Sequence, residues 1–230
     1  DTLIRLLGSS GQVANIAASD TLEGDDEALS LPDAKFELVV SALALQWVND
    51  LPGALLQIRR ALKPDGLLLA ALAGGETLFE LRESLAVAEA EITGGASPRV
   101  SPFAEVRSLG SLLQRAGYAL PVIDSDRHIV RYETPFRLFQ DLRRMGATNA
   151  LVERSRKPLT RKIVTRAAEI YAARFRDPDG KLRATFDILW VAGWVPHASQ
   201  QKPLKPGSAK MRLADALGTT EKPAGDKTGR

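Results

Sequence analysis

Phe36-Glu37-Leu38-Val39-Val40-Ser41-Ala42-Leu43-Ala44-Leu45-Gln46-Trp47-Val48-Asn49-Asp50-Leu51 decides how the rest of the chain is read. It begins as an apolar run short enough for a strand buried on both faces. It ends in small and polar residues, after which Asn49 or Asp50, with Pro52, opens a helix. Leu51, Leu55, Ile58 and Leu62 fall on one face of that helix, which is expected to stop at Lys63-Pro64-Asp65-Gly66. A second apolar run, Leu67 to Ala73, follows at once. Strand, helix and strand joined this closely make a βαβ unit, so the two strands are expected to be parallel neighbours. Ligands of such sheets bind outside the carboxyl ends of the strands. That puts Ser41 to Trp47 and Ala73 to Thr77 at the expected site.

Composition narrows the chemistry. The 230 residues suffice for one substantial α/β core and an elaboration. There is no cysteine, which excludes disulfides, thiolate metal ligands and a cysteine nucleophile, and fits a reducing cytoplasm. Two histidines far apart make no iron-binding constellation, so no metal site is expected. A net charge of +3, with arginines spread over helix faces, gives poor support for a nucleic-acid groove. No apolar run reaches the length of a membrane span, and no secretory signal pattern opens the sequence.

The acidic turn Gly24-Asp25-Asp26-Glu27 runs through Leu29, Leu31 and Pro32 into the strand at Phe36. With the Leu62-Lys63-Pro64-Asp65-Gly66 turn, it makes the segment from Gly24 to Gly75 resemble the second half of a class I S-adenosylmethionine-dependent methyltransferase domain. The resemblance implies a Rossmann-like α/β sheet, mostly parallel, with an antiparallel edge strand and a helical insertion or lid. It implies S-adenosylmethionine as cofactor. Asp25 would accept from the adenine amino group, the backbone N–H of Asp26 would meet the ring, and Asp20 would hold the ribose hydroxyls. Ser41, Ala42, Leu43 and Trp47 would line the cofactor pocket, with Gln46, Thr77 and Arg143 facing substrate. Bland readings stand beside these. Asp25 and Asp26 could be solvated turn acids, Gln46 and Trp47 core filling and helix entry, and Arg143-Arg144 an ordinary wet helix face. His128 and His197 are structural or, alternatively, general bases, and no catalytic residue is singled out.

A glycine-rich cofactor loop is expected ahead of such a strand, and Gly8-Ser9-Ser10-Gly11 is at best a degenerate one. The native protein is therefore expected to carry residues before Asp1. Asp1 to Leu7 reads as helix and Gln12 to Ala18 as a short strand.

Beyond Gly75, Leu78, Leu81, Leu85 and Ala88 share a helix face, ended by Gly94-Gly95. Ser101 and Pro102 are expected to cap and open the next helix, along Val106, Leu109 and Leu113. Tyr118 to Ile123 and His128 to Tyr132 read as two strands. Thr134-Pro135 opens a helix whose Phe136, Phe139 and Met145 are expected to face inward. A long helix, Leu159 to Phe175, carries Ile163, Ala167, Ile170 and Arg174 on a stripe. Ala184 to Trp194 alternates as the antiparallel edge strand, its tryptophans packing on one sheet face. Residues 1–75, 118–127 and 182–196 are thus expected to form the core. Residues 76–117 and 128–181 form the lid, and 197–230 an extended basic tail.

A narrower resemblance rests on collinear peptides. Gln46-Trp47-Val48-Asn49-Asp50-Leu51-Pro52, Gly74-Gly75-Glu76-Thr77-Leu78-Phe79-Glu80-Leu81-Arg82 and Ser101-Pro102-Phe103 are among them, as are Asp177-Pro178-Asp179-Gly180 and His197-Ala198-Ser199-Gln200. They resemble the arginine-hydroxylase assembly factors of mitochondrial respiratory complex I and their bacterial relatives. Leu142 to Thr148 is similar to the malonyl-carrier-protein O-methyltransferases. These resemblances imply a methyltransferase acting on a carboxylate or protein-borne substrate, an arginine hydroxylase, or a non-catalytic binding module. The implied partner is an acidic carrier protein or a respiratory-complex subunit. Arg143, Arg144, Arg154, Arg156 and Lys157 would form a positive rim.

Overall fold

Asp50 starts the helix that the opening stretch calls for: its carboxylate accepts from the Gly53 N–H at 2.9 Å, and Pro52 lies in the first turn. These contacts come from a computed structural model. It describes residues 2–18, 28–29, 31–147, 154–155, 157–202, 211 and 213–220. The elements before this helix are α1 (Thr2–Ser9) and β1 (Phe36–Ala42), and a single 3-10 turn at Leu45–Trp47 leads to α2 (Leu51–Ala61). Buried Ala54, Leu55, Ile58 and Ala61 make the inward face of α2. Asp50→Ala should cost about 1 kcal/mol in urea unfolding, since the capped amide is left to water, while Asp50→Asn should cost little.

β2 (Leu62–Ala73) starts sooner than the apolar run suggests. Leu62 pairs with Phe36 and Leu67 with Leu38, so Lys63-Pro64-Asp65-Gly66 is a bulge within the strand rather than a separate connection. Pro64 has no N–H to lose from the ladder there. A side chain on Gly66 would lie 2.8 Å from the Lys63 carbonyl oxygen, so the tight bulge needs glycine.

The remaining elements are α3 (Phe79–Thr93), α4 (Val106–Arg115), β3 (Ala119–Tyr132), α5 (Pro135–Arg144), α6 (Arg161–Arg174) and β4 (Leu182–Trp194), with α7 (Leu213–Leu217) after them. The sheet order is β1-β2-β4-β3. β1 and β2 are parallel as expected, and β4 is antiparallel to both β2 and β3. Three strands therefore run one way and β4 the other, but β4 is interior rather than at the edge. The two short strands expected at 118–132 are one continuous strand, which pairs with β4 from Ala119 to Tyr132 and takes the edge itself. Exposed Asp124, Asp126, Arg127 and Arg131 blunt that edge against further pairing.

Two apolar clusters sit on opposite faces of β4, as its period-two alternation requires. Leu189 and Val191 join Leu55, Ile58, Leu68, Leu109 and Leu113 beneath α2 and α4. Leu182 and Ala184 join Leu81, Leu85, Leu138, Ile163 and Tyr171 beneath α3, α5 and α6. Helix α4 thus lies in the same layer as α2 and packs against β3. On the Trp190 side, Leu38, Leu69, Val122 and Trp190 are 38%, 39%, 60% and 52% exposed. Among the described residues no helix covers them. Among the described residues β1 is accordingly an edge strand half in water, not one buried on both faces, and Trp190 is not packed away.

Other expectations need correction. Gln12 to Ala18 is irregular and mostly exposed. Ser101 does not cap α4, because Ala104 pairs in parallel with Gly74 and holds the segment extended as far as Glu105. On α5 the buried positions are Pro135 and Leu138, leaving Phe136 and Met145 50% and 61% exposed. Arg174 is exposed at the end of the α6 stripe. The Gly94–Ser101 loop is fastened to α3 by a nearly buried pair, Glu89 and Arg99, joined at 2.5 Å. The chain divides into two units, residues 1–197 and 198–230, and the described part of the second includes the short helix α7.

Candidate functional site

Where β2 ends at Ala73, β4 continues for six more residues toward Leu182, and its free edge needs partners. The loop after β2 supplies them. The Gly74 N–H donates to the Asp187 carbonyl at 2.6 Å and the Leu78 N–H to the Thr185 carbonyl at 2.7 Å. Side chains complete the ladder. The Thr77 hydroxyl accepts from the Asp187 N–H and donates to the Asp187 carbonyl, both at 3.0 Å. The Glu80 carboxylate, wholly buried, accepts from the Thr185 N–H at 3.1 Å and the Thr185 hydroxyl at 2.6 Å. Buried amides must find acceptors, and here a hydroxyl and a carboxylate stand in for a neighbouring strand. Nearby, burial and the Glu80 charge together push the Tyr171 hydroxyl well above its ordinary pKa.

Glycine is required at the hinge of this loop. A Cβ on Gly74 would lie 2.9 Å from both the Asp187 Oδ2 and the Leu189 Cγ. Gly75 lies against the Phe103–Glu105 segment: its Cβ would sit 3.2 Å from the Glu105 Cγ. The Arg82 guanidinium reaches back from α3 and donates to the Gly75 carbonyl at 3.2 Å. The carboxyl end of β2 is therefore walled by Phe103, Ala104, Glu105 and Arg82. Sequence reasoning missed all four as site residues. The available signal was the Gly74-Gly75 pair, which announces a close approach of something to the backbone.

At the carboxyl end of β1 the chain turns sharply, with Leu43 at φ 53° and 49% exposed. The Gln46 carboxamide donates its N–H to the Leu43 carbonyl at 2.6 Å, while its buried Oε1 has no partner among the described residues. Reversing the amide would set oxygen against oxygen, so the orphan is an acceptor. Along β1 runs a mostly apolar cavity of about 200 Å³, lined by Ala17, Ala18, Leu31, Phe36, Val40 and Ser41 among others.

Ser41, Ala42, Leu43, Gln46 and Trp47 thus gather at one strand end, with Thr77 beyond the end of the adjacent strand. Thr77 is 4% exposed, with its hydroxyl engaged by Asp187. Arg143 lies exposed in the last turn of α5, a helix that packs on α6 and β3. Asp20, Asp25, Asp26 and Arg156 lie outside the described residues. His128 sits exposed on β3, opposite Phe186 of β4 and 3.1 Å from Asp126. Among the described residues no cluster of His, Cys, Asp or Glu is suited to a metal, and no helix is long and apolar enough to cross a membrane.

Comparison with known proteins adds relatives to this geometry. Residues 5–70 match a family described as the methyltransferase domain. The chain is 43% identical over 211 residues to "Arginine-hydroxylase NDUFAF5, mitochondrial" of Danio rerio, covering 90% of this chain and 65% of that protein. It is 36% identical over 187 residues to "Malonyl-[acyl-carrier protein] O-methyltransferase" of Halorhodospira halophila, covering 81% of this chain and 61% of that protein. The chain therefore spans less than two thirds of either relative. A solved structure of a putative methyltransferase from Bacillus halodurans superposes with a TM-score of 0.48 at 16% identity, over 76% of this chain and 70% of that one.

Proposed function

From the kinship of residues 5–70 with the methyltransferase domain, and of most of the chain with the two relatives above, we propose an S-adenosylmethionine-dependent methyltransferase acting on a carboxylate or protein-borne substrate. The observation that carries this reading is the mostly apolar cavity along β1, whose lining includes Ser41, Ala44 and Leu45 at the carboxyl end of the strand. The cavity would take part of the cofactor. Apolar walls suit its ring, and Ser41, Ala42, Leu43 and Trp47 would line it. Asp20, Asp25 and Asp26 would receive its ribose and adenine groups. Bound there, the cofactor supplies a methyl group on a sulfonium.

What the chain must add is modest. Methyl transfer needs an in-line nucleophile about 3 Å away and a site that keeps water out. A carboxylate is already ionised at neutral pH, so no dedicated base is required. The Gln46 carboxamide N–H, donating to the Leu43 carbonyl, would hold the turn that shapes this end of the site. The partner on this reading is an acidic carrier protein or a respiratory-complex subunit, guided by Arg143 and Arg144, in the cytoplasm.

The second reading, arginine hydroxylation, is favoured by the higher identity to the Danio rerio protein. Product mass separates the two. Incubation with labelled S-adenosylmethionine and a malonyl-loaded carrier protein should add one methyl group. An added oxygen on an arginine peptide would transfer the assignment to hydroxylation, and cofactor binding with no product would leave a binding module. Gln46→Leu should lower transfer several-fold, because the Leu43 carbonyl loses the donor that holds the turn at the strand end, with the free protein's melting temperature little changed. Undiminished transfer would remove Gln46 from the site.

A further inference from the structure

Arg82 is a half-buried cation whose charge no described acid answers. Arg99, Arg131, Arg166 and Arg183 each lie within 4 Å of a carboxylate, whereas the guanidinium of Arg82 makes only its bond to the Gly75 carbonyl. Arg59 is similar in lacking a paired acid, but it serves the far side of the fold, donating to the Gly117 carbonyl at 3.1 Å. Arg82 is different in place. It lies in the first turn of α3, with its N–H bonded to the Leu78 carbonyl, and its side chain returns to the loop beyond β2. That loop is held on the other side by four hydrogen bonds to β4 at Asp187 and Thr185, so the guanidinium is aimed from a fixed base.

A guanidinium carries five N–H donors in a planar fork. One bond to Gly75 leaves most of the fork unused. The group best matched to it is a second planar fork, a carboxylate, which accepts two parallel bonds. A half-dehydrated setting strengthens such a pair relative to one in water. Glu105, across Gly75, is not within ion-pair distance of Arg82 and so leaves the fork open.

We propose that Arg82 anchors a substrate carboxylate at the carboxyl end of β2. This deepens the methyltransferase reading and rests on it for the word substrate. The anchored carboxylate is either that of a free small acid or one carried on a protein. In both cases the anchor selects anionic substrates over their neutral amides.

The test uses the full chain and two probes, malonate and its neutral counterpart malonamide, with binding followed by NMR shifts of the Gly75 and Gly74 amides. Malonate should perturb these amides in the wild type and malonamide should not. Arg82→Gln should weaken malonate binding about tenfold or more, and Arg82→Lys should restore part of it as a point charge without a fork. Glu83→Gln, an exposed neighbouring charge change, should leave it unaltered. Melting temperatures establish that each variant is folded. The anchor is overturned if neither malonate nor a malonyl-bearing carrier binds in an Arg82-dependent way, or if malonamide gives a response equal to that of malonate. A carrier protein bearing a malonyl group, titrated in parallel, distinguishes the sources: Arg82-dependent binding of the carrier alone assigns the anchor to a protein-borne acid. S-adenosylmethionine titrated separately tests the methyltransferase reading, which can fail while the malonate response persists.

Discussion

Arg99→Ala should lower the stability of the folded unit by about 3–5 kcal/mol at neutral pH, because it strands a buried carboxylate. Arg99 and Glu89 have side chains only 11% and 8% exposed. Two guanidinium nitrogens bond the same carboxylate oxygen, at 2.5 and 3.2 Å, and a third donates to the Lys157 carbonyl at 2.8 Å. The Ser97 N–H and hydroxyl satisfy the rest of Glu89. The Arg99 hydrogen bond is the main reason the Glu89 pKa falls to about 2, against the opposing effect of burial. Because the folded value lies below the ordinary carboxylate range, this stabilisation is complete above about pH 4.5 and disappears as pH falls toward 2. Urea unfolding at pH 7 and at pH 3 should therefore show a wide gap between Arg99→Ala and wild type that narrows in acid. A loss under about 1 kcal/mol at pH 7, in the range of an exposed pair, would mean that the loop is not held by this contact.

The second large effect is expected at Glu80. Glu80→Ala removes the acceptor of both the Thr185 N–H and its hydroxyl, in a place that water does not reach. Each stranded donor costs about 1–3 kcal/mol, so a total of about 3–5 kcal/mol is expected. Glu80→Gln retains the shape and one oxygen and should cost roughly half as much. In a double-mutant cycle, Thr185→Val should cancel part of the loss by deleting one of the stranded donors. Additive losses in that cycle would show that Glu80 acts elsewhere.

How much of this could be read in the sequence follows from which contacts are local. Asp50, Pro52 and the apolar spacing of α2 lie within a dozen residues, and there the reading and the structure agree. The βαβ unit and the antiparallel direction of β4 were likewise legible. The position of β4 was not, because nothing within Ala184–Trp194 tells whether Ala119–Tyr132 will pair outside it. Leu38 and Val40 read as doubly buried since an apolar run is silent about which neighbours cover it. Ser101-Pro102 carries a sound helix-start pattern, yet the bridge from Ala104 to Gly74 overrides it. At the candidate site the strand-end residues came from topology alone. Arg82, Phe103 and Glu105 reach it through tertiary folding, which one-dimensional spacing does not encode.

The side-chain ladder on β4 has a kinetic corollary. The amide protons of Thr185 and Asp187 are held by Glu80 and Thr77, so they exchange with solvent only when the start of α3 lifts from the strand. The two amides on either side of that contact, paired strand to strand with β3, need not follow. Hydrogen exchange at these positions therefore measures detachment of the helical layer separately from melting of the sheet, and ligand capture by the Gly74–Leu78 loop should slow it there first.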